Sequence, residues 1–288
     1  MAKKKKKNGM QIPRVIIHIG KFIQFFSPKL ATSYVRYLFQ KPIRHKTPKP
    51  EHKILQSAEI SYLDIPEIKK KVAVYHWGTG DKKILMVHGW SGRATQLYRI
   101  VEKLLDMNYE VWSFDGPAHG KSSGRITMMP EFIKTVEKIV ETHGKFYAAV
   151  GHSLGGIALL NVQGNHAAFD KICVIGTPDS IKDIFYGFVN KLELKRKVAE
   201  YLIAFFEKIT GKTIENFHGS HHTKQIDIPV LIIHDEEDYE VPIKDAINNH
   251  KYLKHGKLIK TNGLGHARIL KNPEVVEQIT SFIQSNQS

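Results

Sequence analysis

A mostly parallel β-sheet covered on both faces by helices is the fold class this sequence predicts, and three observations predict it. From about residue 55 onward, short β-branched or aromatic runs alternate with segments of helical period. The composition, 42% hydrophobic and 25% charged, is that of an ordinary globular chain, which excludes collagen-like, coiled-coil and wholly disordered readings. The polar motifs fall where strand-like runs end, the place where such sheets bind ligands.

The 288 residues are ample for a large core. One cysteine, Cys173, excludes a disulfide scaffold, and its apolar surroundings suit a buried small hydrophobe. No run of 18 uninterrupted apolar residues occurs, so a simple spanning helix is not expected. The net charge of +15 is concentrated at one end. Residues 1–54 hold 14 Lys or Arg against the single acid Glu51, while residues 55–288 are nearly balanced. A basic arm on a neutral body points to an anionic surface touched by the arm, and not to a nucleic-acid groove in the body. No nucleic-acid partner is expected.

In order along the chain, Lys3 to Lys7 form a like-charge run beside Asn8-Gly9 and should be solvated. After Pro13, polar Arg14, His18, Lys21 and Gln24 oppose apolar Ile16, Ile19, Ile23 and Phe26, the pattern of a short amphipathic helix. A second helical stretch runs from about Leu30 to Phe39 and is stopped by Pro42; Pro48 and Pro50 make the following link extended. The arm, residues 1–54, has three readings: docking on the body, binding an anionic membrane surface, or serving in export or nucleic-acid contact. Its polar interruptions argue against a signal peptide. The expected location is the cytoplasm, with peripheral attachment to a membrane as the alternative the arm raises.

The body is expected at residues 55–178 and 229–288. Strands are expected at Ile60 to Leu63 and Val72 to Trp77, the two forming an antiparallel start. Others follow at Lys83 to His88, Glu110 to Asp115, Phe146 to Gly151, Ile172 to Gly176, Val230 to His234 and Leu258 to Thr261. Helices are expected near Ala94 to Leu105, Pro130 to Thr142, Leu154 to Gln163, Pro242 to Leu253 and Pro273 to Ile283.

The chemistry is signalled by Gly151-His152-Ser153-Leu154-Gly155-Gly156, directly after the apolar run Phe146 to Val150 and before a helical run. A serine between glycines at a strand-to-helix turn sits in a bend that only small neighbours tolerate, and its hydroxyl is exposed by it. The helix starting there aims its N-terminal amides at the same spot. A serine hydroxyl needs a base, and the base an orienting acid. The expected order is serine, acid, histidine. Acid candidates are Asp235, Glu236, Glu237, Asp238 and Glu240 after a late strand, with Asp179 after the preceding one. His266, in the glycine-rich loop Gly263-Leu264-Gly265-His266, is the best-placed base among 16 histidines.

With these motifs together, the chain resembles the α/β-hydrolases of the serine esterase, lipase and aminopeptidase-like group over about residues 70–288. Two more segments carry the resemblance, His88-Gly89-Trp90 and Asp115-Gly116-Pro117-Ala118-His119-Gly120-Lys121-Ser122. It implies Ser153 as nucleophile, His266 as base and, from the register of Asp before Val-Pro, Asp238 as acid, with Asp179 as the alternative. It implies an oxyanion hole from the backbone N–H groups of Trp90 and Leu154. Relatives that dehalogenate or open epoxides carry an aspartate at the elbow, so Ser153 favours acyl transfer, which requires no metal or organic cofactor. Cleavage of a carboxylic ester is the expected reaction. A thioesterase or proline-type aminopeptidase, and a catalytically idle fold binding a membrane or partner, are the alternatives.

Residues 179–228 are too long for a structureless connection and carry Ile184, Phe188, Leu194, Val198, Leu202, Phe205 and Ile209 at spacings of three to six. Insertions here in the resembled family form a helical lid. His218, His221 and His222 lack a cysteine or a well-spaced carboxylate and make a weak metal motif. His88 and His119 are expected to hydrogen-bond their loops in place.

Overall fold

The computed structural model describes residues 12–285. The Lys3 to Lys7 run lies outside the described residues. Two helices open the described chain, α1 (Arg14–Phe26) and α2 (Pro28–Gln40), followed by short α3 (His52–Gln56). Ser27 separates the first two in extended backbone, and its Oγ accepts the N–H of Leu30, capping α2 with Pro28 at the first helical position.

Eight strands follow: β1 (Glu59–Ile65), β2 (Lys70–Trp77), β3 (Lys83–Val87), β4 (Glu110–Phe114), β5 (Ala148–His152), β6 (Ile172–Ile175), β7 (Val230–Asp235) and β8 (Gly256–Thr261). They form one sheet in the order β1-β2-β4-β3-β5-β6-β7-β8. β2 runs antiparallel to both β1 and β4, and every later pairing is parallel. The interleaved helices are α4 (Tyr98–Asp106), α5 (Met129–His143), α6 (Leu154–Asn165), α7 (Ile181–Lys191), α8 (Arg196–Thr210), α9 (Gly219–Thr223), α10 (Ile243–Lys251), α11 (Gly265–Arg268) and α12 (Pro273–Gln284).

Strand alternation splits the core into two layers. Val72, Val74, Leu85, Val87, Ala149, Val174 and Ile232 face a layer shared with α5, α6, α7 and α8. Ala73, Tyr75, Ile84, Met86, Val150, Cys173 and Ile233 face the opposite layer with α4 and α12. Cys173 is buried there, and burial pushes its thiol pKa up, so it is held neutral.

The first helices pack on this body. Ile17 and Gly20 are buried, and Ile16 and Ile23 pack against the core. The Gln24 side chain accepts the N–H of Lys195 at 2.6 Å, Lys21 pairs with Glu193, and the Arg36 guanidinium lies 4.4 Å above the Phe205 ring. The sequence puts Ile19 and Phe26 on the same apolar face as Ile16 and Ile23. In the structure they are exposed, because docking through Ile17 and Gly20 turns the inner face away from them. Further on, Arg44 donates to the carbonyls of Ala118, Ser122 and Gly124. Glu51, buried, accepts from Arg93 and from the Thr95 hydroxyl at 2.7 Å.

Residues 179–228 supply α7, α8 and α9 between β6 and β7. Their stripe is largely turned inward, with Leu194, Val198 and Leu202 buried and Ile209 exposed. Among the described residues no helix is long and apolar enough to cross a membrane.

Candidate active site

The site lies at the carboxyl ends of β3, β5, β6 and β7. Ser153 follows β5 directly and has φ +52° and ψ −117°, a conformation costly for a residue with a side chain. Its neighbours make the bend possible. A Cβ on Gly155 would lie 2.2 Å from the Val87 carbonyl oxygen, and one on Gly151 would lie 2.6 Å from Gly156. Strand, serine and helix therefore cross at backbone contact, which only glycine allows. The N–H of Ser153 is tied to the Ile175 carbonyl at 2.9 Å, fixing the elbow to β6.

His266 stands on α11, entered through Gly263 and Gly265, both at positive φ. Its Nδ1 donates to Asp238 Oδ2 at 2.6 Å. The other Asp238 oxygen accepts the N–H groups of Glu240 and Val241, so the carboxylate is held from both sides and its side chain is only 1% exposed. Asp235 ties the two loops together: Oδ1 accepts from Glu237 N–H, while Oδ2 accepts from Thr261 Oγ1 and Leu264 N–H. Burial alone would raise its pKa, but these hydrogen bonds prevail and lower it.

Two buried histidines brace the base. His152 donates from Nε2 to the His266 carbonyl at 3.0 Å, with the rings 4.6 Å apart. Burial, then the neighbouring His266, holds its pKa well below the ordinary value, so it stays uncharged beside the base. His234 donates to the Val241 carbonyl and lies 3.7 Å from Asp238 Oδ2.

The loop His88-Gly89-Trp90 abuts the serine: a Cβ on Gly89 would lie 3.0 Å from Ser153 Cβ. It is set by His88 and His119. His88 donates from Nδ1 to the Gly89 carbonyl and accepts Gly116 N–H on Nε2, while His119 donates to the Pro117 carbonyl and accepts Ser91 N–H. Burial lowers their pKa values to about 4 and about 3. Among the described residues, the N–H groups of Trp90 and Leu154 find no hydrogen-bond partner.

The structure thus brings Asp238 to His266, with Leu154 next to Ser153 in the chain and the loop that carries Trp90 against Ser153 through Gly89. No hydrogen bond joins Ser153 Oγ to His266 among the described residues; such contacts commonly tighten only when substrate is bound. Asp179 is not brought to His266. It is buried, its Oδ1 accepts from Ser220 N–H at 2.7 Å, and its own N–H donates to Asp245 Oδ2 at 3.2 Å. His222 turns to the Asn216 carbonyl and His218 stands beside Asp179, so the three histidines of that stretch do not converge on a common point.

Sequence reasoning missed Phe39. This last-turn residue of α2 stacks on Trp90 at 6.3 Å and packs on Phe185 at 4.7 Å and Phe188 at 5.2 Å. No local spacing signals it, because its partners lie 51 and nearly 150 residues away. Asp235 was visible only as one acid among several.

These features define an α/β enzyme with its polar groups gathered at the strand ends. Residues 84–206 match the family described as alpha/beta hydrolase family, and residues 208–288 match one described as TAP-like protein. The chain is 24% identical to a non-heme haloperoxidase of Rhodococcus erythropolis, over 73% of this chain and 94% of that one. It is 26% identical to the lysophosphatidylserine lipase ABHD12 of Danio rerio over 70% of its length, spanning 58% of that protein. The Pyrococcus furiosus esterase Pf2001 superimposes with a TM-score of 0.64 at 21% identity, covering 85% of this chain and 98% of that one. The chain belongs to the α/β-hydrolase superfamily, and it is a hydrolase.

Proposed function

We propose that the protein is a serine hydrolase that cleaves a carboxylic ester of an apolar acid through an acyl-serine intermediate. The observation that carries this reading is the 2.6 Å bond from His266 to the doubly anchored Asp238, at the carboxyl edge of the sheet that presents Ser153 on its elbow. Asp238 fixes the imidazole with its proton on Nδ1, leaving Nε2 as a lone-pair base. Ser153 Oγ attacks the ester carbonyl while its proton passes to Nε2, and the carbonyl electron pair moves onto oxygen. The N–H groups of Trp90 and Leu154 receive that oxyanion; losing one such donor costs about 3 to 4 kcal/mol of transition-state stabilisation. Collapse breaks the ester C–O bond, and His266 returns the proton to the leaving alkoxide. Water, deprotonated by the same imidazole, then releases the acid and restores Ser153.

Residues 179–228 act as a lid in this reading. The aromatic cluster of Phe39, Trp90, Phe185 and Phe188 begins at the donor residue Trp90 and supports an apolar wall for the acyl group. The relatives point the same way, one being named a lipase and another an esterase. Hydrolysis of para-nitrophenyl esters of increasing acyl length by the wild type and by Ser153→Ala tests it. Turnover that vanishes in the variant and peaks at a medium or long acyl chain is expected. Turnover that persists in Ser153→Ala would sink the reading.

A further inference from the structure

Helix α1 carries two apolar faces, and the described residues cover only one. Ile16, Ile17, Gly20 and Ile23 pack inward. Val15, Ile19, Phe22 and Phe26 recur every three or four residues along the other side and are 62%, 44%, 67% and 67% exposed. Phe25, at 84%, and Leu30, at 61%, continue this patch around the turn into α2. Phe26 packs edge-on to both Phe22 and Phe25, so the three rings form one surface and not scattered exposures.

The charge around the patch specifies its partner. The patch sits in the segment with 14 Lys or Arg and the single acid Glu51, and Arg14 and Lys29 are exposed beside it. Aromatic and aliphatic side chains bordered by cations are the chemistry of an interfacial helix on anionic lipid. Thirteen residues of helix extend about 20 Å, short of the roughly 30 Å hydrocarbon core, so α1 suits lying in the interface and not crossing it.

We propose that the α1–α2 corner docks on an anionic lipid bilayer through Phe22, Phe25, Phe26 and Leu30, and that the ester drawn into the site is an acyl lipid of that bilayer. The second half rests on the function proposed above; the first does not. The connection between them is structural. The corner is fastened to the insertion by Lys21 to Glu193 and Gln24 to Lys195, and α2 runs about 14 Å from Leu30 to Phe39, which stacks on Trp90.

The test compares the full chain with Phe22→Ser/Phe25→Ser/Phe26→Ser, both in a Ser153→Ala background, by co-sedimentation with phosphatidylcholine vesicles with and without about 30% phosphatidylglycerol. The Ser153→Ala background separates docking from catalysis. The expected result is binding to the anionic vesicles that salt weakens and that falls at least about tenfold in the triple variant. The substituted rings are exposed, so the variant should keep its Tm and, with Ser153 restored, its turnover of a short soluble ester. Equal binding of both proteins, no binding by either, or a concentration-dependent dimer that hides the patch without binding vesicles would overturn the docking. Given docking, hydrolysis of a vesicle-embedded acyl ester should drop at least about tenfold in the triple variant while soluble-ester turnover holds. Vesicle-ester turnover that holds in the triple variant, or that never occurs in wild type active on the soluble ester, would overturn the lipid substrate alone, and inactivity on both esters in wild type would overturn the ester-hydrolase reading while leaving docking intact.

Discussion

His88 makes the stability of this protein fall in acid, by an amount that can be worked from its environment. The ring is fully buried, donates from Nδ1 to Gly89 and accepts Gly116 N–H on Nε2. A second proton would sit on Nε2 facing that N–H, its charge buried away from solvent. Burial accordingly lowers the pKa from 6.5 to about 4, with the Gly89 bond opposing and nearby Arg93 assisting. The unfolded chain binds the proton below 6.5 and the folded one only near 4. The stabilisation is therefore present above pH 6.5 and is lost as pH falls toward 4. At pH 5 the loss is about 2 kcal/mol for this one group. Urea unfolding of wild type and His88→Gln from pH 7.5 to pH 5, with glutamine able to keep both a donor and an acceptor, measures it. The variant should be less stable at neutral pH but shallower in its pH dependence by about 2 kcal/mol over that range. Parallel curves would refute the reasoning, because a ring that titrates normally in the folded state has no such linkage.

Glu51→Ala should cost about 3 kcal/mol and at least about 6 °C in Tm, since it leaves the largely buried Arg93 guanidinium and the Thr95 hydroxyl without their acceptor. An unchanged melting curve would mean the pair is not a fastening point. Asp238→Asn should lower kcat on a reactive ester by about three to four orders of magnitude, whereas Asp179→Asn, compared as folded protein, should stay within about tenfold of wild type. The reverse ranking would reassign the acid.

The sheet was legible because its strands announce themselves locally. Val230 to His234 and Ile172 to Gly176 are apolar runs bounded by turn residues, and each is a strand of the sheet. The elbow was legible for a different reason: close backbone crossing at Gly151 and Gly155, and the Thr177 side chain against Gly156, permit no side chain, so the physical requirement is written directly as glycine. His266 and Asp238 could be proposed by order along the chain, but their 2.6 Å contact depends on Asp235 joining two loops about 30 residues apart. Taken residue by residue, the acids from Asp235 to Glu240 do not declare which clamps loops and which faces an imidazole; only the family register of Asp before Val-Pro singles out Asp238. The rotation of α1 was likewise out of reach, because a helix with apolar residues on two sides does not declare which side docks. That choice was made by Tyr34 in the next helix and by Leu194, which is remote along the chain, both packed around Gly20.

The proposed chemistry requires Ser153 to be a nucleophile activated by His266. The most direct measurement is peptide mass analysis after incubation of the intact protein with a fluorophosphonate. A single adduct is expected on Ser153 of wild type, formed far more slowly in His266→Ala. A Ser153 that stays unmodified in folded wild-type protein, or that reacts as fast without His266, would contradict it.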